Sequence, residues 1–445
     1  MHPTPLFRRD SWLSLDGEWL MNGQPIRVPY PPEAPLSGWN GKVPRDMRYE
    51  KTFTLPEGFP KAGNRVILHF GAADQLCYVF LNGRPVVRHE GGYLPFQADV
   101  TDFLQPGENS LLAEVIDDLQ HTFPYGKQTL KPGGMWYTPV SGLWQSVWLE
   151  EVPPVHVEAL DIRPEADGVR LTARGNFDRC QAELRLDGQR VTAVLAAGEE
   201  TYIPVPEPRR WTPEDPARYE LTLRCGSDVV HSWAALRAVA VQPDAGGVPR
   251  VTLYGRPVFL CAPLYQGYYP GGWFRPERAE DYEEEVRRIR ALGFNAVRVH
   301  IKVEDPLFYE ACDRLGLLVL QDMVQSGAYS WFFDTALPNI GLQRRPDWLP
   351  GDRGRRDFFR RHCLDTQRQL QGHPSVIVYT IFNEGWGQFH TSAMYRTLRE
   401  NDPGRLYISS SGWFKGYETD LDSDHVYFRQ KALRPGSRPL MLSEW

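Results

Sequence analysis

The sequence predicts three consecutive regions: a β jelly-roll sandwich, an immunoglobulin-like β-sandwich and a (β/α)8 TIM-type barrel that is incomplete. Short β-prone runs separated by turn residues fill about the first 150 positions and return in shorter form over 155–240. After residue 250, amphipathic helices alternate with strands that are apolar along their whole length, which is typical of parallel β/α units. We place the three regions at 1–152, 153–247 and 248–445.

The composition is that of an ordinary globular protein. Of the 445 residues, 42% are hydrophobic and 24% are charged, which excludes a disordered, collagenous or coiled-coil chain. The 50 basic and 56 acidic residues give a net charge of −6 without a block of like charges, so we expect no nucleic-acid partner. Aromatic residues reach 12%, which fits either β-rich cores or surfaces that stack on sugar rings, and composition alone favours the cores.

Neither a membrane segment nor an export signal is indicated. No apolar run approaches the ~18 residues of a membrane span, and the N-terminus Met1–Pro5 lacks the charged and apolar parts of a signal peptide. The six cysteines lie far apart and form no CxxC pair, so reduced core thiols are expected rather than a disulfide framework. We therefore expect a cytoplasmic protein without a membrane partner.

The first two regions are recognised by their turns. The apolar runs Cys77–Leu81 and Pro85–Val87 flank Asn82-Gly83, a dipeptide that favours a two-residue hairpin turn because both positions need a positive φ. Pro153-Pro154 marks the end of the first region, and the turn-rich stretch Val241–Arg250 is predicted to connect the second region to the third. Further strands are predicted at Val66–Phe70, Ser110–Ile116, Gln145–Glu150, His156–Ile162, Val169–Ala173, Ala182–Leu186 and Tyr219–Leu223.

The third region shows helical and strand patterns in alternation. The helix Pro276–Leu292 is predicted to bury Tyr282, Val286, Ile289 and Leu292, which recur at helical spacing. Further helices are predicted at Pro306–Leu315, Gly354–Gln371 and Phe389–Asn401. Seven strands are predicted, at Val258–Cys261, Asn295–Ile301, Leu317–Leu320, Val376–Phe382, Leu406–Ser409, Val426–Phe428 and Leu440–Ser443. A complete barrel has eight strands and usually fills about 250 residues, so this barrel is predicted to be incomplete.

Two carboxylates follow apolar strands of the barrel and are the strongest candidates for chemistry. Glu384 comes directly after Val376–Phe382 and Asn383, and Glu444 ends the last predicted strand. Reactive groups of a β/α barrel lie at such strand ends, where partial burial is expected to raise a carboxyl pKa. Two carboxylates that face each other can cleave a glycosidic bond, with a separation of about 5–5.5 Å for retention and about 6.5–9.5 Å for inversion.

Other polar side chains follow the same strands and are candidates for substrate contacts. Structural roles compete with this interpretation: either glutamate could cap a helix or pair with an arginine, Arg298 could form a salt bridge in the barrel floor, and the histidines could be buried polar residues. No HExxH, CxxC or histidine cluster suggests a metal site. The candidates for substrate contacts are Asn383, Arg298, His300, Tyr427, His425, Trp386 and Asp322.

Several motifs, in this order along the chain, resemble those of glycoside hydrolase family 2, the family of β-galactosidases, β-glucuronidases and β-mannosidases. The resemblance covers essentially the whole chain and implies a sugar-binding jelly roll, an immunoglobulin-like domain and a catalytic TIM barrel. The motifs are Ser14–Trp19, Leu68–Ala72, Leu81–Gly83, Glu90–Tyr93, Pro106–Asn109, Trp136–Gln145, Trp211–Pro216, Gly293–Arg298 and Phe382–Glu384.

The resemblance assigns roles to matching residues. It implies that Glu384 is the general acid/base and that Glu444 is the nucleophile of a double displacement with net retention. Asn383 would bind the sugar 2-hydroxyl, Tyr427 would orient the nucleophile, and Arg298 would hold its charge. The resemblance implies action on terminal sugars. The matching residues require no cofactor, although some relatives use Mg²⁺ or Na⁺. Homo-oligomers are common among proteins of this family.

The sugar remains open at this point. We expect galactose first, with glucuronate or mannose as alternatives, because no cationic pair for a sugar carboxylate can be assigned. The loops Tyr265–Trp273 and Val324–Ile340 are expected to set this specificity.

The sequence also departs from the family pattern. His300 lies one position earlier than the histidine of the best-known members, and the family's eighth strand has no counterpart, so we expect the chain alone to be weakly active or inactive. Two other functions stay open, namely a carbohydrate-binding protein with a degenerate barrel, and an endo-acting polysaccharidase or transferase.

Overall fold

The first part of the protein is an antiparallel β-sandwich. The structure, a computed structural model, describes residues 1–340, 342, 352–427 and 436–445. Asn82 and Gly83 have φ values of 51° and 73° and join two paired strands, so the predicted hairpin is confirmed. One sheet contains, in spatial order, Trp12–Ser14, Val147–Val152, Arg65–Phe70 and Phe96–Asp99. The other contains Gln24–Val28, Gly17–Met21, Asp46–Thr54, Glu108–Ile116, Leu76–Leu81 and Arg84–Glu90.

The second part is a smaller antiparallel sandwich with its own apolar core. Seven strands form two sheets, as expected for an immunoglobulin-like arrangement. The three-stranded sheet contains Val157–Pro164, Gly168–Gly175 and Thr201–Pro204. The four-stranded sheet contains Gln189–Ala196, Arg179–Leu186, Tyr219–Cys225 and Asp228–Ala234.

The predicted connector Val241–Arg250 is a β-hairpin rather than an irregular linker. Its strands Val239–Pro243 and Pro249–Leu253 pair around a turn at Asp244, and Arg256–Pro257 adds a third, short strand. Val251 and Leu253 pack with Trp211 against apolar side chains inside the barrel. The turn-forming residues occupy only the tip, and the apolar residues on either side close the bottom of the barrel.

The barrel contributes seven strands within the described residues. Five form a continuous parallel sheet in the order Leu264–Tyr265, Ala296–Val299, Leu318–Asp322, Val376–Asn383 and Leu406–Ser411. The sixth and seventh, Asp422–His425 and Leu440–Glu444, pair in parallel with each other. The number of strands agrees with the sequence prediction, and every strand pair in these two sheets is parallel.

Two of the predicted barrel strands are misplaced. Val258–Cys261 is not a strand, because the Asn295 side chain hydrogen-bonds the backbone of Phe259 and Cys261 at 2.7 and 2.9 Å in place of a ladder. The first barrel strand is Leu264–Tyr265 instead. The sixth strand lies at Asp422–His425 and not at Val426–Phe428, of which Phe428 lies outside the described residues.

Four longer helices cover the described part of the barrel. The helix Pro306–Leu315 begins and ends as predicted, because Asp305 caps its N-terminus and Gly316 ends it with a φ of 72°. Leu292 was expected to be buried but is 76% exposed, since the first helix ends one residue before it. The other helices are Glu280–Ala291, Arg353–Leu370 and Thr391–Asn401, and shorter helical turns lie at Pro35–Ser37, Thr101–Phe103, Trp331–Ala336 and Leu337–Asn339.

Two further predictions concern the thiols and the membrane. All six cysteines are free, and five are buried, whereas Cys261 is exposed and is not a core thiol. Across 1–340, 352–427 and 436–445, every helix is too short or too polar to cross a membrane.

Candidate active site

Glu384 is placed by a sharp left-handed turn at the end of the fourth barrel strand. Glu384 and Gly385 have φ values of 54° and 72°, and the Glu384 amide donates to the carbonyl of Ser411 at 3.2 Å. A Cβ atom on Gly385 would lie 2.0 Å from the ring of Phe414. A non-glycine residue at positive φ is uncommon and is found preferentially at functional sites. The Asn-Glu-Gly motif therefore reflects a turn that only glycine can complete.

Replacing Gly385 with alanine is expected to lower the free energy of unfolding by roughly 1–3 kcal/mol and to reduce activity. The added methyl group would collide with Phe414 and displace Glu384. Gly293→Ala is a matched control, because Gly293 also has a positive φ of 92° but nothing lies within 4 Å of its Cβ position. Urea unfolding should show a larger loss for Gly385→Ala, and equal losses would contradict this account.

The two candidate carboxylates lie close together at the mouth of the barrel. The Tyr427 hydroxyl contacts Glu384 Oε1 at 2.8 Å and Glu444 Oε2 at 2.5 Å. One carboxylate oxygen of Glu384 and one of Glu444 lie within 4.8 Å of each other. Burial and the two adjacent carboxylates raise the pKa of Tyr427, so its single phenolic proton remains between them. Glu384 and Glu444, which are 60 positions apart in the sequence, thus share the Tyr427 hydroxyl as a hydrogen-bond donor.

The pKa of Glu384 is lowered, opposite to the direction that the sequence predicted. Burial alone would raise it, but a hydrogen bond from His425 Nδ1 at 2.9 Å and the charge of Lys127 lower the pKa of Glu384 to about 2. His425 Nδ1 must carry the proton here, because an ionised carboxylate only accepts. The structure therefore holds Glu384 as a carboxylate.

Arg298 lies beneath Glu444 and joins the ends of three other barrel strands. Its guanidinium donates to Glu444 Oε1 at 2.8 Å, to Asp322 Oδ1 at 3.0 Å and to Asn383 Oδ1 at 2.9 Å. Burial would raise the pKa of Glu444, but Arg298 and His425 outweigh it and lower that pKa. Arg298 therefore contacts the candidate carboxylate directly and is not a remote salt bridge in the barrel floor.

His300 and Asn383 present unsatisfied polar atoms near these carboxylates. His300 Nδ1 lies 2.7 Å from Asp322 Oδ2, so Nε2 is the free acceptor of a neutral ring. Burial, together with the charge of Lys127, lowers the pKa of His300 to about 4. His300 Nε2 and Asn383 Nδ2 are buried and have no hydrogen-bond partner within the described residues. An acceptor and a donor without partners in the described part of the chain thus lie beside the carboxylates, just beneath the residues that line the cavity at the mouth of the barrel.

A cavity of about 610 Å³ opens above Glu384, Tyr427 and Glu444. Gln266, Tyr268 and Thr335 come from the two loops that the sequence named for specificity. The long loop between the last two strands of the jelly roll contributes Lys127, Trp136 and Tyr137. Trp413 follows the fifth barrel strand. The remaining lining residues are Gly134, Met135, Thr138 and Leu264.

Trp386 does not lie at this cavity but behind one of its walls. It is 2% exposed, its indole donates to the Gly327 carbonyl at 2.7 Å, and its ring meets that of Trp136 edge to face at 5.6 Å. Trp386 was a candidate for substrate contact, and the structure instead gives it a supporting position behind Trp136.

Sequence reasoning missed the contribution of the jelly-roll loop. The motif that contains Trp136 and Tyr137 was read only as the end of a domain, and nothing local distinguishes Lys127 from a solvent-exposed lysine. The sequence signal that could have revealed the docking of this loop was Gly126. Its φ is 68°, and a Cβ atom at this position would lie 2.8 Å from the Ile301 carbonyl oxygen. Such a glycine indicates close contact of its loop with another chain segment.

One group of side chains has the spacing of a metal site. Glu384, His425 and Glu444 each bring a ligand atom within 4.8 Å of the others. Their fit to a cation is poor, because Tyr427 and His425 already donate to Glu384 and the Arg298 guanidinium lies 2.8 Å from Glu444. A divalent ion would have to displace these donors and lie beside a fixed positive charge.

Comparison with known families gives two matches in chain order. Residues 12–153 match the sequence model described as "Glycosyl hydrolases family 2, sugar binding domain", and residues 278–429 match "Glycosyl hydrolases family 2, TIM barrel domain". A β-galactosidase from Aeromonas hydrophila is 27% identical over an alignment of 431 positions, and the alignment covers 89% of this chain and 38% of that protein. A β-galactosidase from Priestia megaterium is 23% identical over a gapped alignment of 498 positions, which covers 99% of this chain and 45% of that protein. The chain spans less than half the length of these relatives.

Solved structures show the same fold. The β-D-glucuronidase of Dictyoglomus thermophilum superposes with a TM-score of 0.78 at 17% identity and covers 96% of this chain and 78% of its own. A β-galacturonidase from Eisenbergiella tayi superposes with a TM-score of 0.70 at 18% identity. The superposition covers 95% of this chain and 75% of the galacturonidase chain.

Proposed function

Since the chain belongs to glycoside hydrolase family 2, we propose that it is a retaining exo-β-glycosidase that removes terminal sugars by double displacement. The observation that supports this proposal is that Glu384 and Glu444 line one cavity and that a carboxylate oxygen of Glu384 lies within 4.8 Å of a carboxylate oxygen of Glu444. This distance fits the short separation of retaining enzymes, whereas an inverting pair needs about 6.5–9.5 Å for a water molecule.

The surroundings of Glu444 suit a nucleophile. Arg298 donates to Oε1 at 2.8 Å, and the Tyr427 hydroxyl, whose one proton is shared with Glu384, lies 2.5 Å from Oε2; together they favour an ionised carboxylate in a fixed orientation. An ionised carboxylate can attack C1 of the sugar as the bond to the leaving group breaks, which forms a covalent glycosyl-enzyme.

Glu384 suits the proton-transfer role because its charge is coupled to that of Glu444. Two carboxylates this close oppose each other's ionisation, but the donors and cations around them keep both ionised without ligand, so the acid step belongs to the small fraction of molecules in which Glu384 is protonated. When Glu444 becomes an ester its charge disappears, and Glu384 then favours the ionised form that accepts a proton from water. The same residue can therefore act as acid in the first step and as base in the second.

Recognition of the sugar is proposed to use the unsatisfied groups at the site. Asn383 Nδ2 can donate to a hydroxyl, and His300 Nε2 can accept from one. Trp136 and Trp413 offer aromatic faces, and the jelly-roll loop closes one side of the cavity, which favours a terminal sugar over the middle of a polymer. The two relatives described above are named β-galactosidase, another is named a putative β-glucuronidase, and the two solved structures are named β-glucuronidase and β-galacturonidase, so these names suggest either a β-galactoside or a β-hexuronide.

The configuration of the first product tests the mechanism. We expect proton NMR during hydrolysis of an aryl β-glycoside to show the β-anomer first, because two inversions at C1 give net retention. A 2-deoxy-2-fluoro β-glycoside with a good leaving group should add one glycosyl mass to a peptide containing Glu444. Initial release of the α-anomer, or a label on another residue, would contradict the proposal, and binding of sugars without any turnover would favour the carbohydrate-binding alternative.

A further inference from the structure

Lys127 is a buried cation beside the two carboxylates, but it makes no direct ion pair with either of them. It is 7% exposed and lines the cavity together with Glu384 and Glu444. Its ammonium makes no hydrogen bond and no ion pair within 1–340, 352–427 and 436–445. The charge of Lys127 acts on Glu384 without direct contact, so this buried ammonium keeps its capacity to bind an anion directly.

The loop that carries Lys127 is firmly held against the barrel. The amides of Tyr125 and Gly126 donate to the Gln325 carbonyl at 2.9 and 3.1 Å, and the Tyr137 amide donates to the Lys127 carbonyl at 2.8 Å. Gly126 lies so close to Ile301 that no larger residue fits. The backbone is fixed on both sides of Lys127, and the ammonium is therefore presented from a rigid support, as a binding group requires.

Of the two cations at this site, Lys127 is the one whose donors are free to bind a ligand. Arg298, the other one, already donates to Asp322, Asn383 and Glu444. Among the described residues that line the cavity, Lys127 is the sole lysine or arginine. A ligand with one negative charge would therefore form a direct ion pair with Lys127, and a neutral ligand would displace water from the ammonium without replacing it by such a pair.

We propose that Lys127 binds the carboxylate of a hexuronide whose C1 lies at Glu384 and Glu444. This inference rests on the proposed glycosidase function and names its substrate class. The sequence favoured galactose only because no cation could be assigned to a sugar carboxylate, and Lys127 is such a cation, supplied by the jelly roll rather than by the barrel. A carboxylate fits better than a phosphate ester, whose second charge and third oxygen would need more donors than one ammonium.

Substrate selectivity of the chain tests the proposal. The substrates are the 4-nitrophenyl β-glycosides of glucuronate, galacturonate, glucose, galactose and galactose 6-phosphate. We expect one hexuronide to exceed its neutral hexose counterpart about 100-fold or more in kcat/KM, and Lys127→Met to reduce this ratio about tenfold or more. Lys127→Arg should restore part of the ratio. Lys131→Met is the matched control, because Lys131 is an exposed lysine of the same loop, and it should leave the ratio unchanged.

Three outcomes would overturn the proposal. The first is a preference for a neutral hexoside, and the second is a preference for the 6-phosphate. The third is an equal loss on charged and neutral substrates in Lys127→Met, which would show that Lys127 acts on Glu384 and not on the sugar.

A binding measurement separates this proposal from the proposed function. Calorimetric titration of Glu444→Gln with free glucuronate and galacturonate should show binding that weakens about tenfold or more when Lys127→Met is added. Uronate binding of this kind without hydrolysis of any glycoside would support the role of Lys127 and contradict the glycosidase. Hydrolysis of neutral glycosides without uronate binding would support the glycosidase and contradict the role of Lys127.

Discussion

Replacing Glu444 with glutamine is expected to reduce turnover of an activated aryl glycoside by about four orders of magnitude or more, because no other group can form the glycosyl-enzyme. The amide is neutral and nearly the same size, so the loss reports the nucleophile and not a cavity. It also removes one negative charge from the surroundings of the buried Arg298, because the guanidinium of the unmodified chain lies 2.8 Å from the Glu444 carboxylate. Thermal unfolding of the variant should therefore be measured beside its kcat. A folded but inactive Glu444→Gln is the expected result.

Rescue by an external anion sharpens this prediction. In Glu444→Gly, azide can enter the vacated space and attack C1 directly while the aryloxide leaves, a single displacement that yields the α-glycosyl azide. Glu400→Gln is a control for loss of a carboxylate, because Glu400 is exposed on the helix Thr391–Asn401, and its activity should match that of the unmodified chain. A Glu444→Gln variant that keeps more than about one-tenth of the activity would show that the nucleophile is another group.

The elements that the sequence predicts well are those in which local signals agree with tertiary burial. The helix Pro306–Leu315 has a proline at its first turn, a capping Asp305 and a terminal Gly316, and each of these acts within a few residues. The strand Asp422–His425 carries no such signal. Its polar residues are buried by the parallel pairing with Leu440–Glu444, and this pairing depends on a distant segment.

The candidate site shows the same division. Glu384, Glu444 and Arg298 could be predicted to meet because the ends of parallel barrel strands converge at one rim. The presence of Lys127 beside them could not be predicted, since its position depends on how the jelly-roll loop docks on the barrel. This omission also explains the wrong direction of the pKa prediction: burial was considered, but the charge of Lys127 and the donor His425 were not.

Replacing Glu384 with glutamine is expected to act according to the leaving group. Glycosides of alkyl alcohols need a proton on the departing oxygen, and their kcat/KM should fall by about 10²–10⁴-fold. A dinitrophenyl glycoside needs little protonation, so its first step should be nearly preserved. Its second step lacks the base that activates water, and the glycosyl-enzyme on Glu444 should accumulate. A burst of dinitrophenolate followed by slow turnover is the expected time course.

The pH dependence gives a second and independent test of Glu384. Because the hydrogen bond from His425 and the charge of Lys127 hold the pKa of Glu384 near 2 without ligand, the protonated fraction at neutral pH is small and grows as the pH falls. For an alkyl glycoside, kcat/KM of the unmodified chain should therefore rise from pH 7 toward pH 5, whereas Glu384→Gln should show no such rise. Equal losses on alkyl and dinitrophenyl glycosides, with an unchanged pH profile, would contradict proton transfer by Glu384. In that case His425 would be the next candidate, because its Nδ1 lies 2.9 Å from Glu384 and 3.2 Å from the Tyr427 hydroxyl in the same cluster.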